Sequence, residues 1–364
     1  MRILTLSAAG LLAAVLASSC QQDAAEQDLP QPTTTAEALT ASRLDETIMS
    51  QLRRTGEFNW NHASEHVVWS ALRRSDQVLS VGYRPAGYRG TRLPADAATN
   101  PEWLAARQQV LDLILAEERT ARPGLTAEPL VAYEENQLPV LDVTVRELST
   151  IRRLRASGLV RYAEPIGYEP NRPGRDGTAS TLADFGCGSN GPTPDLVPGT
   201  DFTLLSNGSK SSWNQADQFH GIRSAWSQST GRGIKVLIID SGSSDAQDNL
   251  GSAFNQGLSS GRTVERLVTL PRATFLGIPT GPVETPNDPC GHGTSMAGAC
   301  AAPRGTDGAA AGIAYNANLI SVRATTDVFL DESREVKGVA DAFLLAGRRS
   351  DVRIISMSLG RLTT

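Results

Sequence analysis

Apolar residues follow several different rhythms along the 364-residue chain. From Ile3 to Ala17 they run almost without interruption. Across 21–45 the pattern vanishes: Pro30, Pro32, Thr33 to Thr35 and scattered charges leave no face to bury, which predicts a disordered tether. Helical spacing appears at Val67, Val68, Trp69, Ala71 and Leu72, and again at Trp103, Leu104, Val110, Leu111, Ile114 and Leu115. Pro139–Val145 alternates like a half-buried strand, Leu148, Ile151 and Leu154 form one helix face, and Leu159–Pro165 reads as a closing strand. A strand, a helix and a strand in one short stretch predict a small α+β unit within 46–170. Residues 171–212 are rich in Gly, Pro, Ser, Asn and Asp, the composition of a linker or surface loop.

From 213 to 364 the rhythm changes again. Short apolar runs at Ile234–Ile239, Val264–Leu270, Asn318–Arg323 and Val352–Ser358 alternate with helical patterns over 292–302 and 333–349. The second helix is expected to start near Ser333 and to bury Val336, Val339, Phe343 and Leu344. Such alternation predicts an α/β fold, a parallel sheet covered by helices, with its ligand crevice at the carboxyl ends of the strands. Asp240 stands at one such end.

A net charge of −5 without any basic block argues against nucleic acid as a partner. The N-terminus carries more information. Arg2, the apolar run and the small residues Ser18 and Ser19 describe a cleavable export signal over 1–20. Cys20 resembles the acylated cysteine of a bacterial lipobox, although Ala17 stands where that pattern usually has leucine. Gln21, which is not aspartate, implies the outer membrane by the same resemblance. A cell-envelope lipoprotein is expected, with a plainly secreted protein as the alternative. In an oxidising compartment Cys290 and Cys300, ten positions apart along a helix, are too far apart to bridge. Cys187 with Cys290 is the remaining pair, and an odd thiol count is equally compatible with no bridge. Cys300 reads as a buried thiol.

Two segments carry chemistry. Ile234–Gly242 is an apolar run ending in Asp240-Ser-Gly, and Cys290–Gly298 sets His292 between two glycines at the start of a small-residue helix. Asp-Ser-Gly alone could be a simple turn, and a lone histidine a structural one. Together they suit a division of labour in which a carboxylate orients an imidazole that deprotonates a serine.

Four ordered segments over about 213–360 resemble the subtilisin family of serine endopeptidases. These are Phe219–Trp226 with Thr230–Gly242, then Gly291–Gly298, Ala311–Arg323 and Ile354–Gly360. The resemblance implies Asp240 as orienting carboxylate, His292 as general acid/base, and Ser358, Leu359 and Gly360 as backbone partners for a peptide substrate. It also implies protein or peptide substrates and no cofactor for the chemistry, with structural calcium in the neighbourhood of Asp307 and Asn316. The unit ending at Val160–Pro165 looks like a propeptide, which would make 46–170 an inhibitor-like partner of the catalytic part and place a processing site within 171–212. One departure is decisive for activity. The family's oxyanion asparagine and its nucleophile box, Gly-Thr-Ser-x-Ala-x-Pro, do not occur between His292 and Thr364. Ser295 mimics that box but lies three residues from His292 on the same helix, with Ala299 in place of proline. A parallel sheet stopped after its strand at 352–358 leaves apolar faces in water, so a C-terminally incomplete catalytic domain is expected. The alternative is a non-catalytic remnant whose N-terminal region binds or inhibits a protease. A further alternative is a zinc peptidase through His62, Glu65 and His66, whose spacing matches H-x-x-E-H.

Overall fold

The computed structural model describes residues 37–170, 187, 193–275 and 278–363. The expected signal and Cys20 lie outside the described residues, as does half of the segment expected to hold a processing site. Residues 38–364 form a single unit.

Helix α1 (Ala41–Thr55) starts behind the Thr40 side chain and stops at Gly56, whose φ of 80° ends the turn in the left-handed region. Leu44 and Ile48 are fully buried, so the chain is helical before the expected tether over 21–45 runs out. Helix α2 (Glu65–Arg73) is capped by Ser64. Strand β1 (Val78–Tyr83), whose six residues are all buried, is an addition to the sequence reading. Helix α3 (Pro101–Glu118), β2 (Val131–Tyr133), β3 (Val140–Thr144), α4 (Leu148–Ala156) and β4 (Val160–Pro165) complete the unit. The antiparallel sheet has the order β2-β3-β1-β4. Its apolar face, with Leu79, Val81, Leu141, Val143 and Ala163, packs with Leu44, Ile48, Trp60, Ile114 and Ile151 into one core. The buried Glu118 carboxylate accepts hydrogen bonds from Arg146 N–H and Glu147 N–H, both at 3.0 Å, and from Thr150 Oγ1 at 2.8 Å. It thereby anchors the chain entering α4, whose own N-cap side chain makes no capping bond.

Strands β5 (Phe202–Leu204) and β6 (Lys210–Ser212) pair as a hairpin, so the last part of 171–212 is structured and not a plain linker. A short α5 (Ile222–Ala225) leads to β7 (Lys235–Asp240). Then follow β8 (Val264–Val268), a small hairpin of β9 (Thr274–Phe275) and β10 (Ile278–Pro279), α6 (His292–Ala301), β11 (Asn318–Arg323), α7 (Ser333–Gly347) and β12 (Ile354–Met357). The second sheet is parallel with the order β12-β7-β11-β8. One face packs Val236, Ile238 and Leu319 against Ala297 and Ala301 of α6. The other packs Leu237, Ile239, Ile320 and Val322 against Val339, Ala342 and Ala346 of α7.

Helix α7 starts at Ser333, as expected, and corrects one detail of the sequence reading, its buried face. Its N-cap is Glu332, reciprocally bonded with Glu335. Its buried stripe runs through alanines, whereas Phe343 is 44% exposed. The helix lies so close to the sheet that a Cβ on Gly338 would meet the Ala324 carbonyl oxygen at 2.2 Å. Only small side chains fit that seam, and Phe343, about 100° around the helix from Ala342, falls outside it.

The same helix receives the first sheet. Asp76 Oδ2 accepts from the Ser333 N–H at 3.0 Å, Tyr133 OH meets Ser333 Oγ at 2.9 Å, and buried Lys337 pairs with buried Glu135 at 3.2 Å. A carboxylate at a helix N-terminus complements the unpaired N–H groups and the positive end of the dipole. No helix among the described residues is long and apolar enough to cross a membrane.

Candidate active site

The parallel sheet puts Asp240 at the carboxyl end of β7, beside the equivalent end of β11, where Ala324 N–H donates to the Asp240 carbonyl at 2.8 Å. Its side chain is buried, and Oδ1 lies 2.8 Å from His292 Nδ1. An ionised carboxylate only accepts, so Nδ1 carries the hydrogen and Nε2 keeps its lone pair. That is the tautomer a general base needs. Burial pushes the Asp240 carboxyl above its usual range, while the bonds from His292 and from the Ser241 N–H pull it back. The ring remains reachable, with 17% of the His292 side chain exposed.

Why these two side chains meet is visible in the backbone. A Cβ on Gly293 would strike the Gly242 carbonyl oxygen at 2.3 Å and approach Asp240 Oδ1 at 3.1 Å. Glycine at 293 therefore allows α6 to begin against the turn that follows β7. The loop before α6 is anchored from the sheet: Arg323 donates to the Asn287 carbonyl at 2.7 Å, and Glu284 pairs with both Arg323 and Arg334. Cys187 and Cys290 are bridged, with Cα atoms 4.7 Å apart, so the pairing left open in the sequence is present. Cys300 is free and partly buried, and burial pushes its thiol up to about 11.

Asp288 is the residue that the sequence reading missed. It is buried and accepts five hydrogen bonds, from Ser241 Oγ, Cys290 N–H, Gly291 N–H, Thr294 N–H and Thr294 Oγ1, at 2.6 to 3.0 Å. In sequence it sits in Pro286-Asn-Asp-Pro, which reads as an ordinary polar turn. Its placement three residues ahead of Gly291 is the only signal it gives.

The remaining predicted residues are less well assembled. Ser358 is exposed and Leu359 packs on the α7 side of the sheet. Gly360 already uses its main chain: its N–H donates to Val328 O at 3.1 Å and its carbonyl accepts from Leu330 N–H at 3.0 Å. Ser295 donates to the Gly291 carbonyl at 3.0 Å, as an ordinary helical serine does. Asp307 accepts from the side-chain amides of Asn249 and Gln256, and the Asn316 amide donates to Thr230. A cation at Asp307 would have to displace those donors.

The zinc arrangement does not form. His62 closes a 3₁₀ turn, Glu65 opens α2 and pairs with Arg152, and His66 stacks on Trp69. Among the described residues the group close enough to hold a metal is Cys187, Cys290 and Asp327, and its sulfurs are the bridged pair. A disulfide offers no thiolate to a metal. A cavity of about 570 Å³ opens on another side of α6, lined by Asn214, His220, Gln247, Ser295 and Ala299 among others. Neither Asp240 nor His292 lines it.

Asp240 and His292 both lie in a segment that is similar to a known family of peptidases. Residues 231–364 match the subtilase family, Peptidase_S8. A solved structure that is similar is that of fervidolysin from Fervidobacterium pennivorans, described as a keratinolytic enzyme related to subtilisin. The similarity is 15% identical with a TM-score of 0.40, and it covers 78% of this chain and 35% of that one. The chain thus spans about a third of that protein's length. None of the curated proteins matches it.

Proposed function

We propose that the chain belongs to an exported serine endopeptidase in which Asp240 orients His292 and His292 deprotonates a nucleophilic serine. The observation that carries this is the 2.8 Å bond from His292 Nδ1 to a buried carboxylate at the end of a parallel strand. It leaves Nε2 as the free base. After attack on a peptide carbonyl the imidazolium would sit against Asp240 and return its proton to the leaving amine. The serine and its oxyanion donor are not among residues 293–364 in the expected box.

Ser358, Leu359 and Gly360 are proposed to pair with substrate backbone. For Gly360 this requires the segment Val328–Leu330 to give way. The unit within 46–170 is proposed as the propeptide. Its docking on α7 supports that role, and so does the course of the chain beyond β4. There Glu169 accepts from Arg361 at 2.8 Å and from Leu362 N–H at 2.9 Å, which brings the exit of the unit beside Gly360. A cut within 171–212 would then separate inhibitor from enzyme. The same docking supports the second reading, a protease-binding module attached to a catalytic remnant. Export with a lipid on Cys20 completes the proposal and is tested by incorporation of labelled palmitate, lost in Cys20→Ala.

The coding sequence past codon 364 tests the enzymatic reading. A downstream asparagine segment followed by Gly-Thr-Ser-x-Ala-x-Pro is expected. A confirmed stop with neither element beyond it would leave the binding module as the function.

A further inference from the structure

Ser241 stands between two carboxylates and has one hydroxyl hydrogen to give. Its Oγ lies 2.9 Å from Asp288 Oδ1 and 3.3 Å from Asp240 Oδ1, and it accepts the Gly293 N–H at 2.9 Å. All three side chains are buried or nearly so, which removes water as a competing partner. The geometry points to Asp288 as a positioning residue that holds the Ser241 hydrogen away from Asp240. This deepens the reading of Asp240 and His292 as an orienting and a basic group, and rests on it.

The physical consequence concerns how many donors share the Asp240 charge. With the Ser241 hydrogen directed to Asp288, Asp240 Oδ1 accepts from the Ser241 N–H and from His292 Nδ1. A third donor on the same oxygen would draw off electron density and weaken the bond to His292. Asp240 Oδ2 is buried and takes no donor among the described residues, and the bond from the ring goes to Oδ1. Asp288 can receive the hydrogen because its remaining bonds come from rigid loop and helix-start donors that hold it in place. Its exchange for asparagine replaces a charged acceptor by a weaker neutral one, which leaves the Asp240 carboxylate as the stronger partner for the Ser241 hydroxyl. Ser241 thus acts as a switchable donor whose setting Asp288 fixes.

The test reads the hydrogen bond itself and needs no peptide hydrolysis, so a chain that cleaves nothing still decides it. With histidine nitrogens labelled in the full chain, the low-field Nδ1 proton resonance of His292 is assigned by its loss in His292→Ala. In Asp288→Asn this resonance is expected to move upfield. In Ser241→Ala it is expected to stay in place, because the hydrogen removed was not on Asp240. In the double variant the Asp288 exchange is expected to have no further effect. A downfield move in Ser241→Ala would overturn the assignment, since it would place the serine hydrogen on Asp240 in the unaltered protein. An unmoved resonance in Asp288→Asn, or equal moves with and without Ser241, would also overturn it, the latter by reducing Asp288 to loop support. If Asp288→Asn does not fold, Ser241→Ala alone decides.

Discussion

Exchange of Asp240 for asparagine is expected to lower kcat about 10⁴-fold in the complete gene product, with KM little changed. The volume is the same, so the buried pocket at the end of β7 should not collapse. What changes is the hydrogen on the ring. A carboxylate requires Nδ1–H and leaves Nε2 as a lone pair facing the nucleophile. An amide can present its NH₂ group to Nδ1 instead, and the ring then carries its hydrogen on Nε2, where it cannot act as a base. The ring is held by the 2.8 Å bond to Oδ1, while Oδ2 takes no donor among the described residues, so His292 depends on this one oxygen. A fall of less than about tenfold would remove Asp240 from the orienting role, since the loss follows from the tautomer.

Exchange of Asp142 for asparagine is expected to raise stability above neutral pH by about 2–3 kcal/mol and to have no effect near pH 4. Asp142 sits on β3 beside Tyr133 and Ser80, on the sheet face from which Tyr133 reaches Ser333 of α7. Burial pushes its carboxyl up to about 6; Ser80 and Lys337 pull it down, while Glu135 and Asp341 push it further up. Its Oδ1 finds no donor among the described residues. Because the folded value lies above the unfolded one, the folded state holds the extra proton between about pH 4 and 6. The protein therefore loses stability as pH rises through that window, and above it the buried charge costs its full amount. Asparagine stays neutral at every pH and removes the loss. Urea unfolding of both proteins at pH 4 and pH 8 measures it. Equal differences at the two pH values would mean that Asp142 stays charged, or stays neutral, throughout.

The positions of these groups explain what could be read from the chain beforehand. Strands β7 and β11 and helix α6 were legible because their apolar runs and the glycine-flanked histidine are local patterns. Asp240 and His292 were legible as types suited to one chemistry, and the fold brings them together. Strand β1 was not legible, although Leu79, Val81 and Tyr83 alternate with Ser80 and Gly82, because six residues that include a glycine and a serine make a weak strand signal. Phe343 was misplaced because the width of the seam beneath α7 depends on Gly338 and the sheet. Asp288 was invisible for a different reason: most of its donors are main-chain N–H groups, which carry no residue signature. The docking of Asp76 and Glu135 on α7 joins residues more than 200 positions apart, beyond any periodic signal.

The most direct test of the central claim is labelling of the complete gene product by a fluorophosphonate, which reacts only with a serine activated by a base. One serine per chain, downstream of residue 364, is predicted to be labelled, and His292→Ala is predicted to abolish the reaction. Labelling that persists without His292, or no labelling of a folded and processed product, would contradict it.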